Sequence, residues 1–197
     1  MGLTALLLLA WAAAAGEYTY WIEPCERQQA ACRQEDAELA GWALEAWNRA
    51  AGGQIHFKRV GAAGEARLRF LWARAADGQY GEARPISVNG RRGAELHIRP
   101  DLGSLGLEIA AAGARDSLFR DAVVYLTCLH ESGHALGLSH TASFDDIMYS
   151  FQFGGDIPEY FLRYRRKLAQ RGDIRRHSGM SAADQRRLRA RFGIPLQ

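Results

Sequence analysis

The spacing of apolar and polar residues predicts five short strands. Aromatic and β-branched residues dominate the first segment, and the next two alternate between apolar and polar side chains, as half-buried strands do. The predicted strands cover residues 17–22, 54–60, 66–72, 85–89 and 94–99. His56 and His97 lie on two of these strands, where we expect ordinary surface or core residues rather than metal ligands.

Helical spacing of apolar side chains predicts three further segments. Residues 35–51 repeat apolar positions every three or four residues until Gly52 and Gly53 end the run. Residues 157–171 form a basic amphipathic segment, and Ser181 opens a last short helix.

Residues 116–136 are the strongest helix candidate because they are largely apolar. Asp116 or Ser117 could cap the start of this helix, and Gly137 could form a left-handed turn at its end. The order of strands and helices predicts one α+β domain with a mixed sheet.

Composition and charge are those of an ordinary globular chain. Of its 197 residues, 48% are hydrophobic and 24% charged, which excludes a disordered protein. The net charge is only +3, but eleven of the 25 basic residues lie between Arg163 and Arg191. These residues could form a solvated, charge-paired surface or contact an anionic partner such as a membrane. No base-reading motif accompanies them, so we expect no specific nucleic-acid partner.

Residues 1–16 resemble a signal peptide. An apolar run too short to span a bilayer precedes three small residues, Ala13, Ala14 and Ala15, although no basic residue leads the run. The alternative is a buried N-terminal helix or strand. We expect residues 17–197 to form the mature, secreted or periplasmic domain.

The three cysteines fall into two groups. Cys25 and Cys32 are seven residues apart and could form a local disulfide in an oxidising compartment. Cys128 lies inside the apolar segment before His130, where a small buried hydrophobe is the expected role and a Cys–His nucleophilic pair is the alternative.

The candidate chemistry is concentrated in eleven residues. His130 and His134 are four residues apart, so a helix places both imidazoles on one face, where they can bind one zinc ion. Glu131 lies beside them as a general base that is not a ligand. Gly137 allows a sharp turn that brings His140 to the same ion, leaving a fourth position open for water.

This motif resembles the metzincin clan of zinc peptidases, and most of all its matrixin branch. In metzincins a methionine turn forms a hydrophobic floor beneath the zinc, and Met148 matches that methionine at the short spacing typical of matrixins. Thr141 stands where matrixins carry a serine.

The resemblance implies a metzincin-like fold, with a twisted mixed sheet, an active-site helix and a C-terminal helix. Residues 94–98 correspond to the family's edge strand, which implies that Ala94, Glu95 and Leu96 bind an extended substrate. Met180 to Gly193 resembles the family's final helix.

Some features depart from the family. Cys25 lacks the pattern of a cysteine-switch propeptide, and no loop for a second, structural zinc is recognisable at 73–93. Residues 151–178 form a basic insertion, so the family's substrate preference cannot be transferred. Calcium binding is an open possibility, with oxygen donors available at Asp145, Asp146 and Asp156.

The predicted function is a monomeric, secreted zinc endopeptidase acting on protein or peptide substrates. Metal-activated water would attack the peptide bond while Glu131 takes its proton. The alternatives are a catalytically inactive zinc-binding module and a protein that binds anionic surfaces through residues 163–191.

Overall fold

Five strands and six helices make up the described part of this computed structural model, which comprises residues 16–25, 31–74 and 80–195. The strands are β1 (Gly16–Ile22), β2 (Ile55–Arg59), β3 (Leu68–Trp72), β4 (Gly81–Val88) and β5 (Arg91–Ile98). The helices are α1 (Asp36–Ala50), α2 (Leu107–Arg115), α3 (Ser117–Ala135), α4 (Ile157–Arg165), α5 (Asp173–Arg176) and α6 (Ala182–Phe192). Each predicted element has a counterpart, whereas α2 and α5 are additional.

Two observations bear on targeting. Gly16, the last residue of the predicted leader, begins β1, and residues 1–15 lie outside the described residues. Among the helices that the structure describes, none is long and apolar enough to cross a membrane.

The sheet has the strand order β2-β1-β3-β5-β4, with β4 antiparallel to β5 and the other pairs parallel. Alternate residues on its inner face are fully buried, among them Leu68, Phe70, Leu96 and Ile98. Helices α1 and α3 pack together, and α3 also packs against β5, so the core lies between these helices and the sheet. This arrangement places α3 directly beneath the β4 side of the sheet.

The edge of the sheet differs from the sequence prediction. β5 is hydrogen-bonded to β3 on one side and to β4 on the other, so the prediction that residues 94–98 form the edge strand is wrong. Ala94, Glu95 and Leu96 therefore have no free main-chain edge to offer a substrate. The edge strand is β4, which accommodates Pro85 because proline is tolerated at an edge.

A tight hairpin explains this order. Asn89 and Gly90 connect β4 to β5 with φ angles of 50° and 72°, as in the Asn-Gly turns typical of two-residue hairpins. The hairpin folds β4 back along the outer side of β5, and the predicted strand at 85–89 is its C-terminal half.

The arginine-rich region between residues 163 and 191, which includes part of the predicted insertion, forms many ion pairs. Seven arginines between residues 163 and 191 pair with carboxylates of the chain: Arg163, Arg165, Arg166, Arg171, Arg175, Arg176 and Arg187. Arg171, for example, pairs with Asp121 of α3 and Glu38 of α1. This pattern agrees with a charge-paired surface, and it lends no support to an anionic partner.

The cysteines have distinct environments. Cys25 and Cys32 form a disulfide, so the sulfur of Cys25 is not a free thiolate for a metal. Cys128 is fully buried, and burial raises the pKa of its thiol well above the usual value. Cys128 is therefore a core residue rather than a nucleophile.

Candidate metal centre

Helix α3 carries the first two histidines and is held firmly in place. The side chain of Asp116 accepts a hydrogen bond from the backbone N–H of Phe119, which confirms Asp116 as the cap. Near the other end, Nε1 of Trp47 in α1 donates to the carbonyl of Leu129 at 3.0 Å and to Oγ of Ser132 at 2.9 Å. These buried bonds fix the turn of α3 that presents the site residues.

The turn after α3 brings the third histidine back to the helix. Gly137 has a φ of 91°, which a glycine adopts at little cost, as predicted. The N–H of Leu138 donates to the carbonyl of Gly133 at 3.0 Å, the long bond of a Schellman motif. The chain then reverses and returns with His140.

Three imidazole nitrogens converge at one point. The Nε2 atoms of His130, His134 and His140 lie 3.0–3.1 Å from one another. Nδ1 of His130 is 2.7 Å from the carbonyl of Ile147, and Nδ1 of His134 is 2.9 Å from that of Leu138. Because a carbonyl only accepts hydrogen bonds, these Nδ1 atoms carry the protons and the Nε2 lone pairs point into the cluster.

The electrostatics of the cluster fit a metal ion. Burial lowers the pKa of His130 to about 3, and it lowers the pKa values of His134 and His140 as well, so the imidazoles are neutral. The Nε2 atoms of His130 and His134 are both acceptors, so they repel each other unless a cation lies between them. The triangle is small enough for all three nitrogens to reach one ion at the usual zinc–nitrogen distance of about 2.0–2.1 Å.

Met148 packs against the helix that carries the first two histidines. Met148 is fully buried against α3, where a Cβ atom added to Gly133 would lie 2.5 Å from its Sδ and 2.9 Å from the Trp47 ring. The loop between His140 and Met148 is closed by the N–H of Thr141, which donates to the Met148 carbonyl at 2.8 Å. Glycine at 133 therefore allows the methionine turn to approach the helix.

A comparison with protein families agrees with this geometry. The model of the family described as Matrixin matches residues 10–157. The chain belongs to the matrixin family. It thus carries a zinc metallopeptidase-type domain with the metzincin-like fold, and a domain of this type implies protein or peptide substrates. No curated protein matches the chain significantly.

In this matrixin, Glu131 is buried beside the histidines. Burial, together with the charge of Glu82, raises the pKa of its carboxyl to about 8. A cation at the histidines would oppose this effect and favour the carboxylate. Glu131 reaches the first residue of β4, where a Cβ atom added to Gly81 would overlap the Glu131 carboxylate. The candidate base thus lines the same cavity as the histidines and faces the edge strand.

A cavity of about 880 Å³ contains the whole site. Edge-strand residues Gly81, Ala83 and Pro85 line one side, and the histidines and Glu131 line the centre. Apolar and aromatic residues form another part of the lining, the aromatic recess: Leu105, Leu126, Tyr149, Phe151, Tyr160 and Phe161. Polar residues such as Arg92, Ser139 and Gln152 also line the cavity, as does Ala94, which was predicted to bind substrate. The aromatic recess can accept an apolar side chain.

The candidate calcium donors of this matrixin have other partners. Asp146 accepts hydrogen bonds from Thr141, Ser181 and Arg187. Asp145 pairs with Arg163, and the carboxylate of Asp156 caps α4. Calcium binding gains no support, because among the described residues the three histidines are the one cluster of His, Cys, Asp or Glu that could hold a metal.

Two residues of the site were not predicted from the sequence. Gly81 makes room for Glu131, and the hydroxyl of Tyr160 reaches the backbone of the methionine turn. Both contacts join segments distant in sequence. The Asn89–Gly90 turn was a local signal that could have identified the β4–β5 hairpin, although not which of its strands lies at the edge.

Proposed function

We propose that this matrixin is a secreted zinc-dependent endopeptidase in which His130, His134 and His140 hold the zinc and Glu131 is the general base. The observation that carries the proposal is the convergence of three imidazole nitrogens beside a buried carboxyl group in one open cavity. In this proposal Met148, packed against Gly133, and Gly137, at the turn after α3, support the site structurally.

The chain's own residues have separate roles in the reaction. When bound, zinc would polarise the scissile carbonyl and make water a stronger nucleophile near neutral pH. Glu131 accepts the proton of the attacking water and passes it to the leaving nitrogen. The Glu131 side chain extends from α3 toward Gly81 of β4, which keeps this proton transfer next to the substrate backbone.

The substrate binds to β4 as an extended strand. Within the described ranges, no strand pairs with the outer edge of β4, so its main-chain groups are available for hydrogen bonds with a peptide. Gly81, Ala83 and Pro85 line the cavity from this strand. A peptide held there can place one apolar side chain in the aromatic recess.

The disulfide supports export, because such bonds persist in oxidising compartments. N-terminal sequencing of protein exported from an expressing cell tests this part of the proposal. We expect the mature chain to begin close to residue 17. An exported chain that retains residues 1–16 would contradict the predicted cleavage.

Catalysis is tested by metal analysis combined with digestion of a peptide library. The wild-type chain should bind one zinc ion per molecule and cleave peptides, and a chelator should abolish the cleavage. Glu131→Gln should keep the zinc and lose at least about 100-fold in kcat, the range of general acid–base catalysis. Wild-type turnover in that variant would exclude Glu131 as the base. Zinc binding without any cleavage by the wild type would favour the inactive zinc-binding module.

A further inference from the structure

We propose that Tyr160 of α4 is a positioning residue for His130, acting through the carbonyl of Ile147, and that it thereby strengthens metal binding. The inference rests on the proposed zinc centre. Tyr160 lies in the insertion, beyond the segment that matches the family model.

The hydrogen bonds form a continuous path to the metal ligand. The Tyr160 hydroxyl is 3.0 Å from the carbonyl oxygen of Asp146 and 3.3 Å from that of Ile147. The Ile147 oxygen also accepts the Nδ1–H of His130 at 2.7 Å. A carbonyl oxygen has two lone pairs, so it can accept both donors. Partners of this kind fix the tautomer and the orientation of a ligating imidazole.

Packing holds the Tyr160 ring in one place. The residue is only 4% exposed, and its ring lies against those of Phe144, Phe151 and Phe161 at centroid distances of 5.2–5.6 Å. The guanidinium of Arg163 covers the ring at 4.4 Å. Burial raises the pKa of the Tyr160 hydroxyl well above its usual value, so the hydroxyl stays protonated and can donate.

The same helix offers a matched control. Tyr164 lies one turn further along α4, is 3% exposed, and stacks on Tyr125 at 5.7 Å. Its hydroxyl also donates to carbonyls, those of His177 at 2.6 Å and Ile174 at 3.4 Å. Those carbonyls belong to the end of the insertion rather than to the methionine turn. Replacement of either tyrosine by phenylalanine removes one buried donor and keeps the ring.

The test compares the zinc affinity of the wild-type chain, Tyr160→Phe and Tyr164→Phe by competition with a chromophoric chelator. We expect Tyr160→Phe to bind zinc about tenfold more weakly, the lower end of the range for partners of metal ligands. Tyr164→Phe should stay within about twofold of wild type, although both variants should lose similar thermal stability. Cobalt(II) provides a second readout, because a reoriented His130 should alter the visible spectrum of Tyr160→Phe alone.

Equal zinc affinity and identical cobalt spectra in wild type and Tyr160→Phe would overturn the inference and leave the proposed function intact. An equal loss of affinity in both variants would also overturn it, because general destabilisation would then explain the effect. A wild-type chain that binds no zinc would instead overturn the proposed metal centre.

Discussion

Gly81 of the edge strand lies directly against Glu131 of α3. A Cβ atom added at position 81 would lie 3.0 Å from Cδ of Glu131 and 2.8 Å from Cγ2 of Thr127, and it would overlap a carboxylate oxygen. Glycine is therefore required for this close approach, which sets the distance between the candidate base and the strand that binds substrate.

Gly81→Ala should lower activity without removing the metal. The added methyl group displaces the Glu131 carboxylate, and a misplacement of about 1 Å can cost 100-fold in rate. We expect kcat to fall by roughly 10- to 100-fold, while zinc affinity stays within about twofold because the histidines are untouched. Steady-state kinetics on a cleaved peptide and a zinc titration measure the two quantities.

Gly41→Ala is the matched control, because Gly41 lies in α1 with no atom within 4 Å of an added Cβ. It should stabilise the helix by about 1 kcal/mol and leave kcat unchanged. Wild-type kcat in Gly81→Ala would show that Glu131 tolerates displacement or is not the base.

Asp146 connects the loop after His140 to the C-terminal helix. Its carboxylate accepts hydrogen bonds from Thr141 at 2.9 Å, Ser181 at 2.6 Å and Arg187 at 2.7 Å. Burial acts to raise the pKa of Asp146, but these three hydrogen bonds outweigh it and hold the pKa below its usual value. The carboxylate form therefore stabilises the folded state.

This gives the pH dependence of Asp146→Asn a definite sign. Because the folded pKa lies below the unfolded value of about 3.9, the stabilisation is full above that value and is lost as the pH falls through the folded pKa. At pH 7 the substitution should lower the free energy of unfolding by about 2–3 kcal/mol. Denaturant unfolding of both proteins at several pH values should show this difference shrinking below about pH 4.

Asp145→Asn provides the control, since the Asp145 side chain is 89% exposed and pairs with Arg163 on the surface. Its effect should stay below about 0.5 kcal/mol at every pH. A difference between wild type and Asp146→Asn that persists unchanged to pH 3 would contradict the role assigned to Asp146.

Local features of the site could be predicted from the sequence. The spacing of His130 and His134 on a helix, the cap at Asp116 and the positive φ at Gly137 all depend on residues within one or two turns of one another. Ser181 likewise forms a capping box with Asp184 at the start of α6. Hydrogen bonds between near neighbours determine these features, so short motifs are sufficient to identify them.

The relations between distant segments could not be predicted. Which of β4 and β5 lies at the edge depends on pairing with β3, and the sequence pattern of a strand does not reveal its neighbours. The approach of Gly81 to Glu131 and the reach of Tyr160 to Ile147 depend on how packed elements meet. Helix α2 was missed because it follows Gly106 and has no side-chain cap.

Phe151 is expected to limit the size of the side chain that the recess accepts. It lines the cavity, and its ring contacts those of Tyr149 and Tyr160. Phe151→Ala should enlarge the recess and shift cleavage toward bulkier apolar residues. Pocket contacts of this size are worth about 1–3 kcal/mol. The ratio of kcat/KM for peptides with a large apolar side chain at this position to that for peptides with a small one should therefore change by roughly tenfold or more.

Phe153→Ala tests whether this change is specific to the recess. Phe153 lies two residues later, is 55% exposed and is absent from the cavity wall, so its removal should leave the preference unchanged. Digestion of one peptide library by the wild type, Phe151→Ala and Phe153→Ala measures the side-chain preference of each protein under the same conditions. An identical cleavage pattern for Phe151→Ala and wild type would place the specificity-determining wall elsewhere.

The disulfide is expected to stabilise the fold without controlling the zinc site. Closing the short loop between Cys25 and Cys32 should contribute about 2–3 kcal/mol to the free energy of unfolding. The double variant Cys25→Ser/Cys32→Ser should lose that amount in denaturant unfolding while retaining wild-type zinc affinity and kcat. Substitution is preferable to reduction here, because thiol reductants can themselves bind zinc.

Cys128→Ala is the corresponding control, since it removes the buried free thiol and keeps the disulfide. It tests the core role of Cys128, because kcat should be unchanged if that thiol takes no part in catalysis. An increase in activity on removal of Cys25 would be the opposite of our expectation. It would mean that the Cys25 thiol reaches the zinc in part of the population and inhibits the enzyme, which a permanent bond to Cys32 does not allow.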